Sequence, residues 1–366
     1  MVKVNRKIVK WIAIIISTSS IGAGIFFCVV SYKMSLIPSM TFEEMLSYTT
    51  KNNDEARITV GTIKNGEMEF VVYGSNGEVL PSEEHEYEIG SLTKTFTTSL
   101  LCKAIDGGNI TLDSSIDDYL NLAPKEYYPT LRRLVTHTSG FKGYYFNGQM
   151  ISNFFKGEKN DFYGISEEKL NEKISKVALK NKDYDFNYSN FGLSVVGSVL
   201  AEIYDTDYTT LMNSFINNDL GLQNTKISDG TGAIEEYWHW NANDGYLPAG
   251  GLVSTITDMM KYVQLQISEE KQYLSQAHKT IANINATSKR NEKMGIRMDE
   301  AGIGWLIDRE NNIVWHNGGT SNFNSYIAFD KEKQVGVVIL SNLSPSYRIP
   351  ATVMGVKLIK SLQGEV

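Results

Sequence analysis

The sequence predicts an α+β fold in which an antiparallel sheet is formed from both chain ends and flanked by helices. Near the start, strand-like segments at 57–63 and 68–73 flank Asn65-Gly66, and Asn-Gly is a strong hairpin signal. Near the end, strand-like segments recur at 302–308, 312–316, 325–329 and 335–340. Helical spacing dominates the residues between these two groups. Strands at both ends with helices between them predict one shared sheet and an all-helical inserted region beside it.

The individual helices are predicted from caps and periodicity. Thr41 to Glu44 has the pattern of a capping box and predicts a helix to about residue 51. A long apolar run after Ser91 predicts a helix to Asp106, which Gly107-Gly108 ends. Apolar residues at helical spacing predict further helices at 131–135, 167–179, 193–204, 208–217, 257–267 and 351–362.

The N-terminal segment predicts one transmembrane helix. Residues 11–30 carry no charge, and 20 helical residues span roughly the 30 Å of a bilayer core. Four basic residues precede this run, so the positive-inside rule predicts a cytoplasmic N-terminus and an extracytoplasmic body in a single-pass membrane protein. A cleaved signal peptide and a buried core helix are the alternatives for this segment.

The chain is predicted to divide into an anchor, a tether and one domain. The cytoplasmic basic end and the transmembrane anchor occupy 1–32, the tether 33–40, and the domain 41–366. Within the domain, the α/β part comprises 41–115 and 290–366, and the helical part comprises 116–289.

Composition excludes some classes of protein. The net charge is −7, and because the first 33 residues hold five basic residues and no acidic one, the remainder carries −12. An acidic body argues against nucleic acid as a partner. Cys28 lies in the predicted anchor and Cys102 in the helix after Ser91, so no disulfide is expected. The scattered histidines predict no metal site, and no cofactor is expected.

A candidate nucleophile follows Gly90. Ser91 and Lys94 are three residues apart, so their side chains share the first turn of the predicted helix. A hydroxyl beside a neutral amine is an activated nucleophile, and burial at the start of an apolar helix favours the neutral amine. The same spacing at Ser268 and Lys271, in an acidic stretch, shows that spacing alone is weak evidence. A helix-capping serine beside a solvated lysine is the alternative.

Two shorter motifs follow in order along the chain. Tyr188 and Asn190 form a Tyr-x-Asn motif, in which tyrosine can shuttle a proton and asparagine can hold a substrate amide or the lysine. His316 and Gly318, followed by Gly319, end a predicted strand, where a substrate could pair with the strand edge. Each motif alone is more typical of structural residues, namely a packed tyrosine beside a turn and a histidine before a glycine turn.

Together the three motifs resemble those of the serine β-lactamase and penicillin-binding-protein superfamily, in its class C β-lactamase-like branch. The strings that carry this resemblance are 87–97, 134–140, 188–192, 248–252 and 316–320. The resemblance covers roughly residue 42 to the C-terminus. It implies a mixed α/β domain, an adjoining helical region, and an active site between them.

The resemblance also implies roles for the catalytic residues. Ser91 would be the acylated nucleophile, and Lys94 and Tyr188 would share the proton transfers, with either of them as the base in acylation. Asn190 would bind substrate or orient Lys94.

The third motif would bind substrate and complete the oxyanion hole. The backbone N–H groups of Ser91 and Gly319 would face the oxyanion, while His316 and Gly318 would lie on the substrate-binding strand. His137 is implied to be structural. Three aromatic residues are candidates for the cleft wall, although such residues are more often core: Trp238, Trp240 and Tyr246.

The expected function is that of a membrane-anchored extracytoplasmic serine hydrolase. It would form an acyl-enzyme on an amide or ester, such as a D-amino-acid peptide or ester of the cell envelope. His316 stands where many members of the superfamily have a lysine, and histidine is only partly charged near neutral pH, which weakens the expectation of efficient β-lactam hydrolysis. A true β-lactamase and a non-hydrolysing penicillin-binding or envelope-sensing module are the alternatives, and the oligomeric state is left open.

Overall fold

The computed structural model of the protein describes residues 35–364, except 235 and 269. The transmembrane helix predicted at 11–30 lies outside these residues, and so does the start of the tether. Within the described part of the chain, no helix is long and apolar enough to cross a bilayer. The anchor therefore stays a prediction.

Twelve strands are assigned in the described part of the chain, and nine of them form the main sheet. The strands are β1 Ile58–Lys64, β2 Glu67–Tyr73, β3 Val79–Leu80, β4 Tyr87–Glu88, β5 Lys226–Ile227, β6 Leu252–Ser254, β7 Ala282–Asn283, β8 Glu300–Ala301, β9 Leu306–Asp308, β10 Ile313–Gly319, β11 Asn324–Asp330 and β12 Val335–Ser341. The main sheet has the order β3-β2-β1-β12-β11-β10-β9-β8-β7.

The two chain ends meet in the middle of this antiparallel sheet. β1 pairs with β12 along its whole length, from Ile58 opposite Ser341 to Lys64 opposite Val335. The predicted sheet built from both ends is therefore confirmed. Only the end of the segment predicted as a strand at 302–308 is a strand, β9, because Gly304 adopts φ +76 and turns the chain between β9 and the preceding β8.

Helices cover both faces of the main sheet. The α-helices of the described part are α1 Phe42–Thr50, α2 Thr93–Asp106, α3 Leu131–Val135, α4 Gly148–Lys156, α5 Glu167–Lys176, α6 Asn190–Ile203, α7 Tyr208–Ser214, α8 Leu247–Gly250, α9 Ile256–Ser268, α10 Gln272–Ser275, α11 Lys289–Lys293 and α12 Ala351–Gln363. The predicted capping box is present at α1, where Thr41 and Glu44 cap each other's backbone N–H groups.

Small residues allow α9 and α12 to pack closely on the sheet. A Cβ added to Gly61 of β1 would lie 2.6 Å from the sulfur of Met260 in α9. On the opposite face, a Cβ added to Gly355 of α12 would lie 2.1 Å from the ring of Tyr326 in β11. Alternate side chains of β12 enter the two apolar clusters on these faces, as expected for a strand buried on both sides.

The middle of the chain is not all helical, which corrects the sequence prediction. β5 and β6 lie there and pair with β4 in a small sheet of order β4-β6-β5, while β7 joins an edge of the main sheet. Each of these strands has only two or three residues, too few for an alternating pattern to be recognised. The predicted division of the domain at residues 116 and 289 stays a prediction, although α9 packs on the main sheet.

Candidate active site

The predicted nucleophile and lysine are in direct contact. Ser91 lies in a 3₁₀ turn, Gly90–Leu92, that runs directly into α2. Lys94 lies in the first turn of α2, and its Nζ lies 2.8 Å from Ser91 Oγ. The amine also donates to the carbonyl oxygen of Ala249, in α8, at 2.6 Å. The spacing has therefore placed a hydroxyl beside an amine, as expected from the sequence.

The surroundings of Lys94 favour a neutral amine. Its side chain is fully buried, and desolvation lowers the pKa of the amine well below the usual lysine range. The ion pairs found among the described residues do not include Lys94, and its two hydrogen-bond partners are neutral oxygens. Because an unpaired buried ammonium is costly, the neutral form is favoured and can accept the proton of Ser91.

Tyr188 also contacts the Ser91 hydroxyl. Its side chain hydrogen-bonds to Ser91, and Lys94 Nζ lies 5.0 Å from the centroid of its ring. Burial raises the pKa of the Tyr188 phenol above its usual range, and the hydrogen bond to Ser91 opposes this shift only in part. Tyr188 therefore keeps its proton at neutral pH. Ser189 fixes this segment by accepting a hydrogen bond from Gly192 at the start of α6, at 2.8 Å.

Glycines let the end of β10 approach the turn that carries Ser91. Gly90 has φ +50, and a Cβ added there would lie 2.6 Å from the nitrogen of Gly319. A Cβ added to Gly318 would lie 2.0 Å from the carbonyl oxygen of Ile89. Side chains at these positions would separate the two segments, so glycine is required for Ser91 and Gly319 to line one cavity.

Asn190 lines the cavity beside Ser91 but does not orient Lys94 through a hydrogen bond. The Lys94 amine binds Ser91 and Ala249 instead. The Asn190 side-chain oxygen is buried and has no hydrogen-bond partner among the described residues. A buried acceptor without a partner is costly, and a donor on a substrate would satisfy it. Of the two roles implied by the motif, the geometry favours substrate binding.

His316 is buried behind Tyr188 rather than exposed to the cleft. The two rings lie 6.2 Å apart, and His316 Nδ1 donates to the carbonyl oxygen of Asn317 at 2.7 Å. Desolvation by burial, the largest cause, lowers the pKa of His316 to about 3. Burial therefore favours a neutral ring at pH 7, unlike the partly charged histidine expected from the sequence, and the substrate-binding role of His316 stays a prediction. Gly318 and Gly319, but not the His316 side chain, line the adjoining groove.

His137 supports Tyr188. Its ring lies 4.6 Å from the Tyr188 ring, and its Nδ1 accepts a hydrogen bond from the Ser189 N–H at 3.1 Å. Desolvation by burial, the largest cause, lowers its pKa well below the histidine range, so this imidazole is also neutral. Among the described residues, neither histidine belongs to a cluster of side chains that could hold a metal ion.

Two cavities open beside Ser91. The smaller, about 40 Å³, is walled by aromatic side chains, and the structure confirms that Trp238, Trp240 and Tyr246 are among them. Phe162 completes this wall and stacks on Tyr246 with ring centroids 4.3 Å apart. The larger is a groove of about 610 Å³ that runs from Ser91 and Tyr188 past Gly318 and Gly319. Phe162 was missed from the sequence because it belongs to no motif and comes from a loop.

Glu88 is a second residue that the sequence analysis missed. Its buried carboxylate accepts a hydrogen bond from the Trp238 N–H and another from the Thr320 hydroxyl, each at 2.6 Å. Burial raises the pKa of Glu88 to about 7, against the lowering effect of these hydrogen bonds. The carboxyl thus joins the aromatic wall to the end of β10. Glu88 follows other acidic residues, Glu84 and Glu86, so the sequence carried no local signal that this one is buried.

The second match to the Ser-x-x-Lys pattern has no such surroundings. Ser268 is the last residue of α9, and its hydroxyl accepts a hydrogen bond from the Glu270 N–H at 3.4 Å. Burial and partners, rather than spacing, therefore distinguish Ser91 from Ser268.

Comparison with protein families identifies the class of protein. A family model described as β-lactamase matches residues 54–352, and the chain therefore belongs to the β-lactamase family. The resemblance to the serine β-lactamase and penicillin-binding-protein superfamily is confirmed by this match.

The individual relatives are distant in sequence. The chain is 20% identical over 293 residues to protein flp of Staphylococcus aureus (strain MW2), which covers 74% of this chain and 55% of that protein. It is 24% identical over 324 residues to the D-alanyl-D-alanine-carboxypeptidase/endopeptidase AmpH of Escherichia coli (strain K12), over 80% of this chain and 82% of that protein. The chain thus spans about half the length of the first relative.

A solved structure shows the same fold. The octameric penicillin-binding protein homologue from Pyrococcus abyssi matches with a TM-score of 0.69 and 20% sequence identity, over 88% of this chain and 76% of that chain. At this identity the likeness shows the α+β fold alone.

Proposed function

We propose that the protein is a serine hydrolase that forms an acyl-enzyme at Ser91. The contact between the Ser91 hydroxyl and the buried amine of Lys94 carries this proposal. The alternative, a capping serine beside a solvated lysine, requires an exposed Lys94, whereas this side chain is fully buried. Burying a lysine without an anionic partner costs stability, and catalysis is a reason to retain it.

The proposed acylation uses Lys94 as the base. Neutral Lys94 Nζ accepts the proton of Ser91 while Ser91 Oγ bonds to the substrate carbonyl carbon. The carbonyl electron pair moves to its oxygen, which the N–H groups of Ser91 and Gly319 stabilise. The bond to the leaving nitrogen or oxygen then breaks, and Tyr188 passes it the proton that Lys94 took up. In deacylation, Lys94 takes a proton from a water molecule whose oxygen bonds to the acyl carbon; the bond from that carbon to Ser91 Oγ then breaks, and Lys94 returns the proton to Ser91.

The proposed substrate is a D-amino-acid peptide or ester of the cell envelope. The name of the relative from Escherichia coli, a D-alanyl-D-alanine-carboxypeptidase/endopeptidase, supports this class. The described residues that line the small cavity include no cationic side chain, and His316 is neutral at pH 7. A free substrate carboxylate therefore has no fixed positive charge in the small cavity, whereas Arg290 and Arg348 line the larger groove that also opens at Ser91.

The proposed location is the outer side of the cell membrane, where such substrates are found. The uncharged run at 11–30 and the basic residues before it support a single-pass anchor with the domain outside the cytoplasm.

The nucleophile is tested by covalent labelling. The full chain is treated with a labelled fluorophosphonate or penicillin, and the adduct is located by mass spectrometry. We expect the label on Ser91, loss of labelling in Ser91→Ala, and unchanged labelling in Ser268→Ala, which removes the serine of the second motif. A folded protein that labels equally well as Ser91→Ala contradicts the proposal.

A substrate panel separates the remaining alternatives. The panel holds a D-Ala-D-Ala peptide, an internal D-amino-acid amide, a D-alanyl ester, a simple aryl ester and a chromogenic cephalosporin. We expect the D-amino-acid peptide, amide and ester to turn over faster than the simple aryl ester and the cephalosporin. Rapid cephalosporin turnover would instead identify a β-lactamase. Acylation by penicillin without turnover of any substrate would identify a binding or sensing module.

A further inference from the structure

An exposed apolar patch lies on the segment between the two catalytic motifs. Five of the eight large hydrophobic side chains that are exposed in the described part of the chain fall between residues 144 and 155. They are Tyr144, Phe146, Ile151, Phe154 and Phe155, and we call them the aromatic patch. Phe154 and Phe155 are 76% and 82% exposed. Single exposed apolar residues are ordinary, but five within one short segment, two of them in ring contact, point to an interaction surface.

The helix that carries this patch, α4, has its polar side turned inward. Asn153 is fully buried, and its Nδ2 donates to the carbonyl oxygens of Asn160, Asp161 and Tyr163 at 3.3, 3.2 and 2.8 Å. Its Oδ1 accepts a hydrogen bond from Gln149 at 3.0 Å. These bonds fix the rotation of the helix about its axis, so Phe154 and Phe155 are held outward rather than left exposed by a loose fit.

Both ends of α4 are also fixed. Asn147 caps the first turn by accepting a hydrogen bond from the Gln149 N–H at 2.9 Å. Gly157 ends the helix in the left-handed conformation at φ +73. A capped helix with an anchored polar side presents its apolar side as a defined surface.

Lysines border the aromatic patch. Phe146 and Gly148, at the start of α4, line one groove of about 250 Å³ together with Lys169, Lys173 and Lys176 of α5. Glu172 also lines this groove and pairs with Lys176 at 3.3 Å. Three cations and one anion make the groove positive, on a body whose net charge beyond residue 33 is −12.

The patch adjoins the candidate active site. Tyr144 contacts Phe162 edge to face, with ring centroids 6.1 Å apart, and Phe162 belongs to the aromatic wall beside Ser91. A surface bound at the patch would therefore lie next to the opening of the cleft.

We propose that the aromatic patch and its lysine border dock on the surface of an anionic lipid bilayer. Aromatic side chains enter the interfacial region of a bilayer, and neighbouring lysines bind anionic headgroups. The positive border on an otherwise acidic body matches an anionic membrane. Such docking is independent of the acyl-enzyme proposal, and it would hold the cleft against the membrane in a defined orientation rather than let the domain swing on its tether.

A fluorophore at position 155 of the full chain tests this docking. Phe155→Cys supplies the cysteine that is labelled, and Cys28→Ser removes the cysteine of the predicted anchor. The remaining cysteine, Cys102, is buried and therefore protected from labelling. The labelled chain is incorporated into vesicles of phosphatidylcholine with or without phosphatidylglycerol. With phosphatidylglycerol we expect a blue-shifted emission and protection from iodide quenching. The same label placed by Glu67→Cys, on the exposed hairpin of β1 and β2, should remain quenchable in both vesicles.

Charge variants test the lysine border in the same assay. Replacing Lys169, Lys173 and Lys176 by glutamine should lower insertion of the label into phosphatidylglycerol vesicles by about fivefold per lysine. Phe154→Ser should lower insertion in either vesicle, and as an exposed substitution it should leave labelling of Ser91 unchanged.

Three results would overturn the docking proposal. A label at position 155 that stays water-exposed on phosphatidylglycerol vesicles shows that no docking occurs. A blue shift without lipid that grows with protein concentration assigns the patch to a second copy of the chain. A blue shift without lipid that is independent of concentration shows closure onto the domain itself.

Discussion

Burial acts in opposite directions on the two proton carriers beside Ser91. Removing Lys94 from water destabilises its charged form and lowers its pKa, whereas removing Tyr188 from water destabilises its charged form and raises its pKa. Both groups are therefore neutral at pH 7, the amine as an acceptor and the phenol as a donor. This difference favours Lys94 over Tyr188 as the base, a choice that the sequence motifs leave open.

Lys94→Met should separate activity from stability. Loss of a positioned base should slow acylation of Ser91 by about 10²–10⁴-fold, measured as the rate of fluorophosphonate labelling. The melting temperature should not fall, because a buried amine is replaced by an apolar side chain of similar length. In the unchanged protein, the acylation rate should rise with pH at values well below 10.5, the usual pKa of a lysine.

Lys103→Met is the matched control, since Lys103 lies on the same helix but is partly exposed and pairs with Asp219. It should label at the normal rate. A Lys94→Met protein that labels as fast as this control would show that Lys94 is not the base.

Glu88→Gln should change how stability depends on pH. The pKa of Glu88 is raised from 4.5 to about 7 in the fold, so between these values the folded state binds more protons than the unfolded chain. The contribution of this group is therefore full below about pH 4.5 and is lost as the pH rises to about 7, by up to about 3 kcal/mol. Glu88→Gln should remove this decline in the free energy of unfolding, measured with denaturant.

Glu67→Gln, on the exposed part of β2, supplies the comparison for Glu88→Gln and should retain the decline. Parallel pH curves for the two variants would show that Glu88 does not titrate in this range.

At the scale of elements, the site depends on the close approach of β10 to the Ser91 turn. Gly90→Ala should lower the free energy of unfolding by roughly 2–4 kcal/mol, because alanine adds left-handed strain at φ +50 and a contact 2.6 Å from Gly319. It should also slow labelling of Ser91, since the two segments must separate.

Gly66→Ala isolates the contribution of strain to this effect. Gly66 has φ +83, and an added Cβ would meet nothing within 4 Å. Its loss of stability should be limited to about 1–2 kcal/mol, with normal labelling. Equal losses in the two variants would contradict a tight contact at Gly90.

The elements that could be predicted from sequence are those with a local signal. The Asn65-Gly66 hairpin, the capping box of α1 and the strands β11 and β12 each follow from residues close together in the chain, and the structure confirms them. The Ser91–Lys94 contact is likewise set by the geometry of one helical turn.

Other features depend on contacts between distant segments and have no local signal. The neutral state of His316 results from its burial behind Tyr188, and the strands β5 to β7 exist only through pairing with remote partners. In α4 the usual burial of apolar side chains is reversed. Phe154 is exposed, whereas Asn153 is buried and hydrogen-bonds to the backbone carbonyl of Tyr163. Apolar patterning alone would have placed this phenylalanine in the core.

At the scale of the whole molecule, one central strand pair joins the two ends of the chain. β1 and β12 are separated by some 270 residues in sequence but pair over seven positions, so neither end forms the sheet without the other. The sheet therefore forms late in synthesis, after the C-terminal strands have emerged, and the predicted anchor would reach the membrane first.

The predicted anchor can be tested by fractionation of the full chain. If residues 11–30 span the membrane, the protein should pellet with membranes and resist high-salt and alkaline washes, which remove surface-bound proteins. Ile21→Arg with Ala23→Arg places two charges near the middle of the run, each costing about 2.5–3.5 kcal/mol at the centre of the bilayer, and should release the protein on washing. The aromatic patch would not prevent this release, because interfacial docking is reversible and depends on salt. Retention of the double variant after alkaline washing would show that another part of the chain holds it to the membrane.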